Sequence, residues 1–443
     1  MNIRNDIRKL IDDTPFVDTH THLWEESTRL AALEGRRGSG IPASDIGMLF
    51  SHYTDSDLIV SGMPEADLKR VFGHDLEPKD KWTLLAPYYE RVRLTGYGRF
   101  VRASVRMLYD EDDLHEGNVA VISEKLRAAV KPGYYRTILR DVANVEYAHV
   151  NSLQTPVFME TEMPDLLLQD LSTVALGSGL DITAVREATG KEADTLKEWH
   201  GVIDWCFETY GPRAIATKNQ SAYARGLDYA PVSAAEAAPI FARYRKNPGS
   251  VSPAELKALQ DHLAHYCIHK ATEYHLPVKL HLGYFAGHGG MPLHRVRHNA
   301  GDVCLLAQKH RDARFDLLHI NYPYQDEIIA LAKHYPNTWV DMCWAWIINP
   351  EASVRFLKEF LMAVPANKVL CFGADVLPVE LVPGHAAVAR KGIAQAISEL
   401  IEENWIAFSE VEPLVQRLMR GNALELFDHD GKIAAWGSGR AAS

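Results

Sequence analysis

Cysteine is scarce and scattered in this chain. Five occur among 443 residues, Cys206, Cys267, Cys304, Cys343 and Cys371, with no Cys-x-x-Cys pair. That excludes a disulfide framework or a zinc ribbon, and most of the five are expected to be small buried hydrophobes. An excess of positive charge is missing as well. The 58 acidic residues outnumber the 47 basic ones, for a formal net charge of -11. A general binder of nucleic acid or of anionic membranes needs basic surface to replace counterions, so both classes are set aside. No apolar run is long enough to span a bilayer, and the opening "MNIRNDIRKLIDDTPF" lacks the apolar centre of a secretory signal. Internal repeats and low-complexity tracts are also absent. The expectation is a cytoplasmic protein acting on a small molecule, without nucleic acid or membrane and as a homo-oligomer. What is present is a hydrophobic content of 47% and a charged content of 24%, those of a soluble globular protein with a sizeable core.

The length suits two or three average domains, or one barrel with insertions. From about residue 140 short apolar runs alternate with helical patterns, the signature of a parallel sheet built from βα units. The candidate strands are 143–152, 166–176, 213–218, 277–283, 314–323, 337–344 and 368–378, and "PFVDTHTHL" adds one more near the start. Helical stretches such as "DEIIALAKHY" and "EASVRFLKEFLMAV" lie between the later ones, each stopped by Pro or Asn. Eight strands with intervening helices predict a (β/α)8 barrel, a single unit over 1–443. Residues 24–140 do not fit the repeat. They read as a helical insertion after the first strand, on the face where barrel active sites lie, and so as a lid or as a subdomain that covers apolar surface. The tail from about 385 reads as amphipathic helices finishing the outer ring.

The stretch "FVDTHTHL" places two histidines one residue apart at the end of an apolar run. With 20 histidines in the chain, about one such pair is expected by chance, so the pair alone decides little. Strand alternation puts Phe16, Asp18, His20 and His22 on one side, and Asp18 then either orients an imidazole or serves the barrel floor. Further polar residues end the other candidate strands. Lys218 ends the fourth, His281 the fifth with Lys279 two residues before it, His319 the sixth, and Asp375 lies near the end of the eighth. Side chains from the C-terminal ends of barrel strands converge on one mouth. Four imidazoles, a carboxylate and a lysine there suit a divalent metal, zinc first, with manganese, iron and nickel as rivals.

His-x-His, Lys, His, His and Asp at strand ends one, four, five, six and eight resemble the amidohydrolase superfamily of metal-dependent barrels. The stretches "KNQSAYARGL" (218–227), "LLHINYPYQDEIIALAKHYPNTWVDM" (317–342) and "RGNALELF" (420–427) further resemble the branch with uronate isomerases and the amidohydrolase domain fused to glutamine-synthetase-like proteins. The resemblance implies that His20 and His22 bind metal, with Asp375 as a further ligand and proton carrier. It also implies that Lys218 either bridges two ions as a carboxylated lysine or stays an amine near substrate. His281 and His319 would hold a second ion or, in a one-metal site, one would bind and the other polarise substrate. The chain departs from the family's lysine motif at Tyr223, where Ala224 stands before Arg225.

The reaction expected from this set is hydrolysis of an amide, lactone or related bond, with Asp375, His319 and Lys218 as catalytic groups. Tyr223 and Arg225, together with Arg295 and Arg297 of the loop after the fifth strand, are candidate contacts for a substrate carboxylate. That loop reads equally as a solvated basic turn. An aldose–ketose isomerase acting on a uronate and a metal-dependent decarboxylase are the alternatives, since one metal scaffold hosts several chemistries.

Overall fold

The computed structural model describes residues 3–33, 41–428 and 431–432. Parts of the expected 1–443 unit and of the expected 24–140 insertion, namely 1–2, 34–40, 429–430 and 433–443, lie outside the described residues. The strands are β1 (Phe16–Thr21), β2 (Val145–Val150), β3 (Leu167–Gln169), β4 (Leu171–Ser172), β5 (Thr217–Asn219), β6 (Val278–His281), β7 (Phe315–Leu318), β8 (Thr338–Asp341) and β9 (Val369–Leu370). All pair in parallel, β1-β2-β3 in one group and β4 through β9 in the other. Asp170 alone separates β3 from β4, and the two are one bent strand that passes its pairing from β2 to β5. On one side Asp170 N donates to Val150 O, and on the other Ile215 N donates to Gln169 O. Between β9 and β1 the ring is completed by Thr19 N to Phe372 O, Asp375 N to His20 O and His22 N to Val376 O. Eight positions result, a (β/α)8 barrel whose strands fall within the eight apolar runs of the sequence, except that β5 passes the end of its run by one residue, Asn219.

At every other position the run outlasts its strand, because the last residues leave the ladder and bend over the mouth. The helices around the ring start where the sequence caps them. Ser252 and Glu255 form a reciprocal capping box on the helix Pro253–Glu273, and Thr195 and Glu198 do the same for Leu196–Tyr210. Two apolar regions follow. A large core lies between the strands and the outer helices. A smaller one fills the base of the barrel, where Val17, Tyr147, Leu168, Ile215, Ala216 and Leu370 meet Ala423, Leu426 and Phe427 of the tail.

Between β1 and β2 the described residues form helices, including Thr54–Val60, Pro78–Val92 and Gly96–Tyr109, and no strand. Their packing is continuous with the barrel. A Cβ at Gly384 would lie 2.0 Å from Phe100 O and one at Gly96 would lie 2.1 Å from Ile347 O. Only glycine lets those backbones approach so closely. The fully buried Arg29 donates to Glu380 at 2.8 Å, an ion pair that ties the insertion to the segment after β9. No helix among the described residues is long and apolar enough to cross a membrane.

Candidate functional site

The strand ends bring six of the predicted side chains together. Asp375 Oδ1 lies 3.3 Å from His20 Nε2 and 3.1 Å from His22 Nε2, and Asp375 Oδ2 lies 3.8 Å from His319 Nε2. Lys218 Nζ donates to His20 Nε2 at 2.8 Å. His281 Nδ1 meets His319 Nε2 at 3.0 Å, and its other nitrogen donates to Tyr284 O at 3.0 Å. His281 therefore stands behind His319 and fixes its ring.

The backbone at this end is strained. His319, Ile320, Asn321, Cys343 and Asp375 have φ of 69°, 48°, 54°, 39° and 52°, and such left-handed conformations in non-glycine residues cost about 1–3 kcal/mol each and cluster at functional sites. Asp18 helps hold them. Its Oδ1 accepts from the amides of His20 at 3.2 Å and Ala374 at 3.0 Å, so it braces the backbone across the β1–β9 seam and orients no imidazole.

Burial dominates the electrostatics. It pushes His20 and His319 well below the usual histidine range, and His281 down to about 3, so these imidazoles are neutral. Burial also lowers Lys218, to about 8, against the pull of Asp375. For Asp375 burial acts upward, but the close approach of His20, His22 and His319 prevails and holds its carboxyl well below the usual range. Deeper in the barrel, the fully buried Lys279 donates to Asp170 at 2.9 and 3.0 Å and approaches His149 Nδ1 at 3.3 Å, which separates it from the cluster above.

These residues fit a divalent cation. His22 Nδ1 donates to Asn151 O at 2.7 Å, which leaves Nε2 presenting a lone pair to a carboxylate oxygen. Two acceptors that close call for a shared proton or a cation between them. A carbonyl holding the remote nitrogen is also the usual way a ligating histidine is oriented. Buried His20 Nδ1 and His319 Nδ1 have no hydrogen-bond partner among the described residues. Two sets of ligand atoms lie within 4.8 Å of one another, His20 with His22 and Asp375, and His319 with Cys343 and Asp375.

The arginines need correction. Arg225 is spent on Asp261, Gln260 and the carbonyl of Gly226. Arg295 clamps the carbonyls of Ala222, Tyr223 and Ala224 at 2.8–3.1 Å, holding the loop after β5. Arg297 is exposed and lines a surface hollow with His298, Asp302 and Glu327. Tyr223 does reach the site. Its ring packs 4.5 Å from that of His281, and its hydroxyl accepts from Ala286 N.

The sequence reading missed three contributors. Cys343 follows β8 as His319 follows β7, so its place at a strand end was the available signal. Tyr53 and His52 come from the insertion. Burial, then Tyr53's neighbour Asp375, raises the Tyr53 phenol well above its usual range. The Tyr53 ring stacks on Trp344 at 4.4 Å and on His52 at 4.1 Å, with Tyr97 beyond at 5.5 Å. "SHYTD" sits in no apolar run, and nothing local marks it.

A family model described as amidohydrolase matches residues 189–428. Protein fluG of Emericella nidulans is 27% identical over 169 residues, 36% of this chain and 19% of that protein, so the chain covers only a minor part of that relative. Among solved structures, the uronate isomerase of Thermotoga maritima superposes with a TM-score of 0.79 at 15% identity, covering 96% of this chain and 97% of that one. The glucuronate isomerase of Caulobacter crescentus gives 0.76 at 16% identity, covering 96% and 94%. A Lactobacillus casei protein whose assignment as a metal-dependent hydrolase is itself a proposal gives 0.65 at 14%, covering 96% and 98%. At such identities the structural likenesses speak for the fold alone.

Proposed function

The chain belongs to the amidohydrolase family, and from that premise we propose that it is a metal-dependent hydrolase of an amide, lactone or related bond in a small substrate. The observation that carries this reading is the buried Asp375 carboxylate, with Oδ1 facing the Nε2 atoms of both His20 and His22. His20, His22 and Asp375 would hold the cation, with His319 beside them, and zinc suits so imidazole-rich a set better than manganese, iron or nickel. When bound, the ion supplies Lewis acidity, polarising a carbonyl and lowering the pKa of water from about 15.7 to roughly 7. Asp375 takes the proton of the attacking water and passes it to the departing amine or alkoxide. His281 keeps the His319 ring in place. Lys218 anchors His20 and offers positive charge to a substrate carboxylate, a role withdrawn from Arg225 and Arg295. In this proposal the insertion is the cover, with Tyr53 and Tyr97 keeping bulk water from the cluster.

A second reading, aldose–ketose isomerisation of a uronate, is favoured by one observation. The Tyr53 phenol lies close enough to Asp375 for that carboxylate to push it up, and an acid and a base so placed suit proton transfer between adjacent carbons. Incubation with N-acyl amino acids, lactones and uronates in heavy-oxygen water tests the two. Hydrolysis places the heavy oxygen in the product carboxylate. Turnover of a uronate at constant mass would overturn the hydrolytic reading in favour of the second.

A further inference from the structure

Cys343 takes no part in the chemistry above, yet its sulfur lies beside His319 and Asp375. We propose that His319, Cys343 and Asp375 form a second ion position that shares Asp375 with the His20–His22 position and selects a thiolate-seeking ion such as zinc. The proposal rests on the metal reading and deepens it. One ligand atom from each of the three residues lies within 4.8 Å of the others. The carboxylate divides between the groups, Oδ1 toward His20 and His22, and Oδ2 toward His319. His319 is fully buried and its Nδ1 has no hydrogen-bond partner among the described residues. Its Nε2 meets His281 Nδ1, a nitrogen left as an acceptor because His281 Nε2 donates to Tyr284 O. Without an ion the His319 proton therefore sits on Nε2, and ligation through Nε2, the nitrogen that faces Asp375, would move that proton to Nδ1.

Imidazole, carboxylate and thiolate form a zinc or cobalt donor set, whereas magnesium, calcium and manganese favour oxygen ligands. On ligation the S–H bond gives way to a sulfur–metal bond and one proton leaves to solvent. The second position is thus expected to discriminate against manganese more strongly than the first. Lys218 remains an amine in this arrangement, since Asp375 supplies the bridge that a carboxylated lysine would otherwise give.

Titration of the chelator-treated full chain with cobalt(II) tests the proposal. The expected result is two equivalents bound, with a sulfur-to-cobalt charge-transfer band in the near ultraviolet that grows with the second. Cys343→Ser should keep the first equivalent and its visible d–d absorbance while losing the band and the second equivalent. His319→Asn should also lose the second equivalent, and it serves if the cysteine variant fails to fold. Visible cobalt absorbance without the ultraviolet band in the parent protein overturns the thiolate position but not the metal centre. A band that persists in Cys343→Ser, or that develops within a single equivalent, also overturns it. No cobalt binding at all removes the metal reading and this proposal together.

Discussion

The same strands build two unlike ends of the barrel. At the base, Val17, Tyr147, Leu168, Ile215, Ala216 and Leu370 close on Leu426 and Phe427 in an apolar plug. At the mouth, His20, Lys218, His281, His319, Cys343 and Asp375 are equally buried, but they are titratable and three of them hold left-handed backbone. Burial that stabilises an apolar plug penalises charged groups, so the mouth draws on the stability of the base and the outer ring. Stability and chemistry should therefore be separable by end.

The largest effect expected at the mouth follows Asp375→Asn. The amide keeps an oxygen for an ion but accepts no proton at neutral pH, so kcat should fall by roughly 10²–10⁴-fold with melting temperature held or raised. Rates within a few-fold of the parent would take Asp375 out of the mechanism. At the base, Phe427→Ala should cost about 3–5 kcal/mol in denaturant unfolding and leave metal content and kcat of the folded fraction unchanged. A matching loss of metal would show that the ends are not independent.

The legibility of the two ends differs for a physical reason. The strands are local, short β-branched or aromatic runs bounded by Pro, Gly and Asn, and each ring position lies in such a run. Residues at their C-terminal ends were findable because the fold decides where those ends point. The break at Asp170, the bracing role of Asp18 and the contact of Tyr53 with Asp375 depend on chain segments far away in sequence. The arginines show the same limit. "Arg in a loop near the site" says nothing of direction, and Asp261 on another helix settles where Arg225 goes. Cys343 was legible by position but read by composition as a small hydrophobe.

Tyr53→Phe sharpens the comparison from the cover. Loss of its hydroxyl should slow hydrolysis by less than tenfold, because Asp375 keeps its histidine partners, whereas an isomerase using the phenol as acid would lose about 10²-fold or more. Competing kinetics on a lactone and a uronate read the difference.

A smaller effect lies at Asp55 in the insertion, where burial raises the carboxyl from 3.8 to about 6. Between those values the folded state holds more protons than the unfolded one, so stability falls as pH rises from about 4 to 6. With partial solvent access the loss is on the order of 1–2 kcal/mol. Asp55→Asn should flatten that part of the stability profile and raise stability at pH 7, and an unchanged slope would contradict it.

Metal content and melting temperature measured on one sample of the doubly substituted His20→Ala, His22→Ala protein test the central claim most directly. The account predicts that most of the metal is lost from a folded barrel whose melting temperature matches or exceeds the parent's. Full metal retention, or metal lost only because the barrel has unfolded, would contradict it.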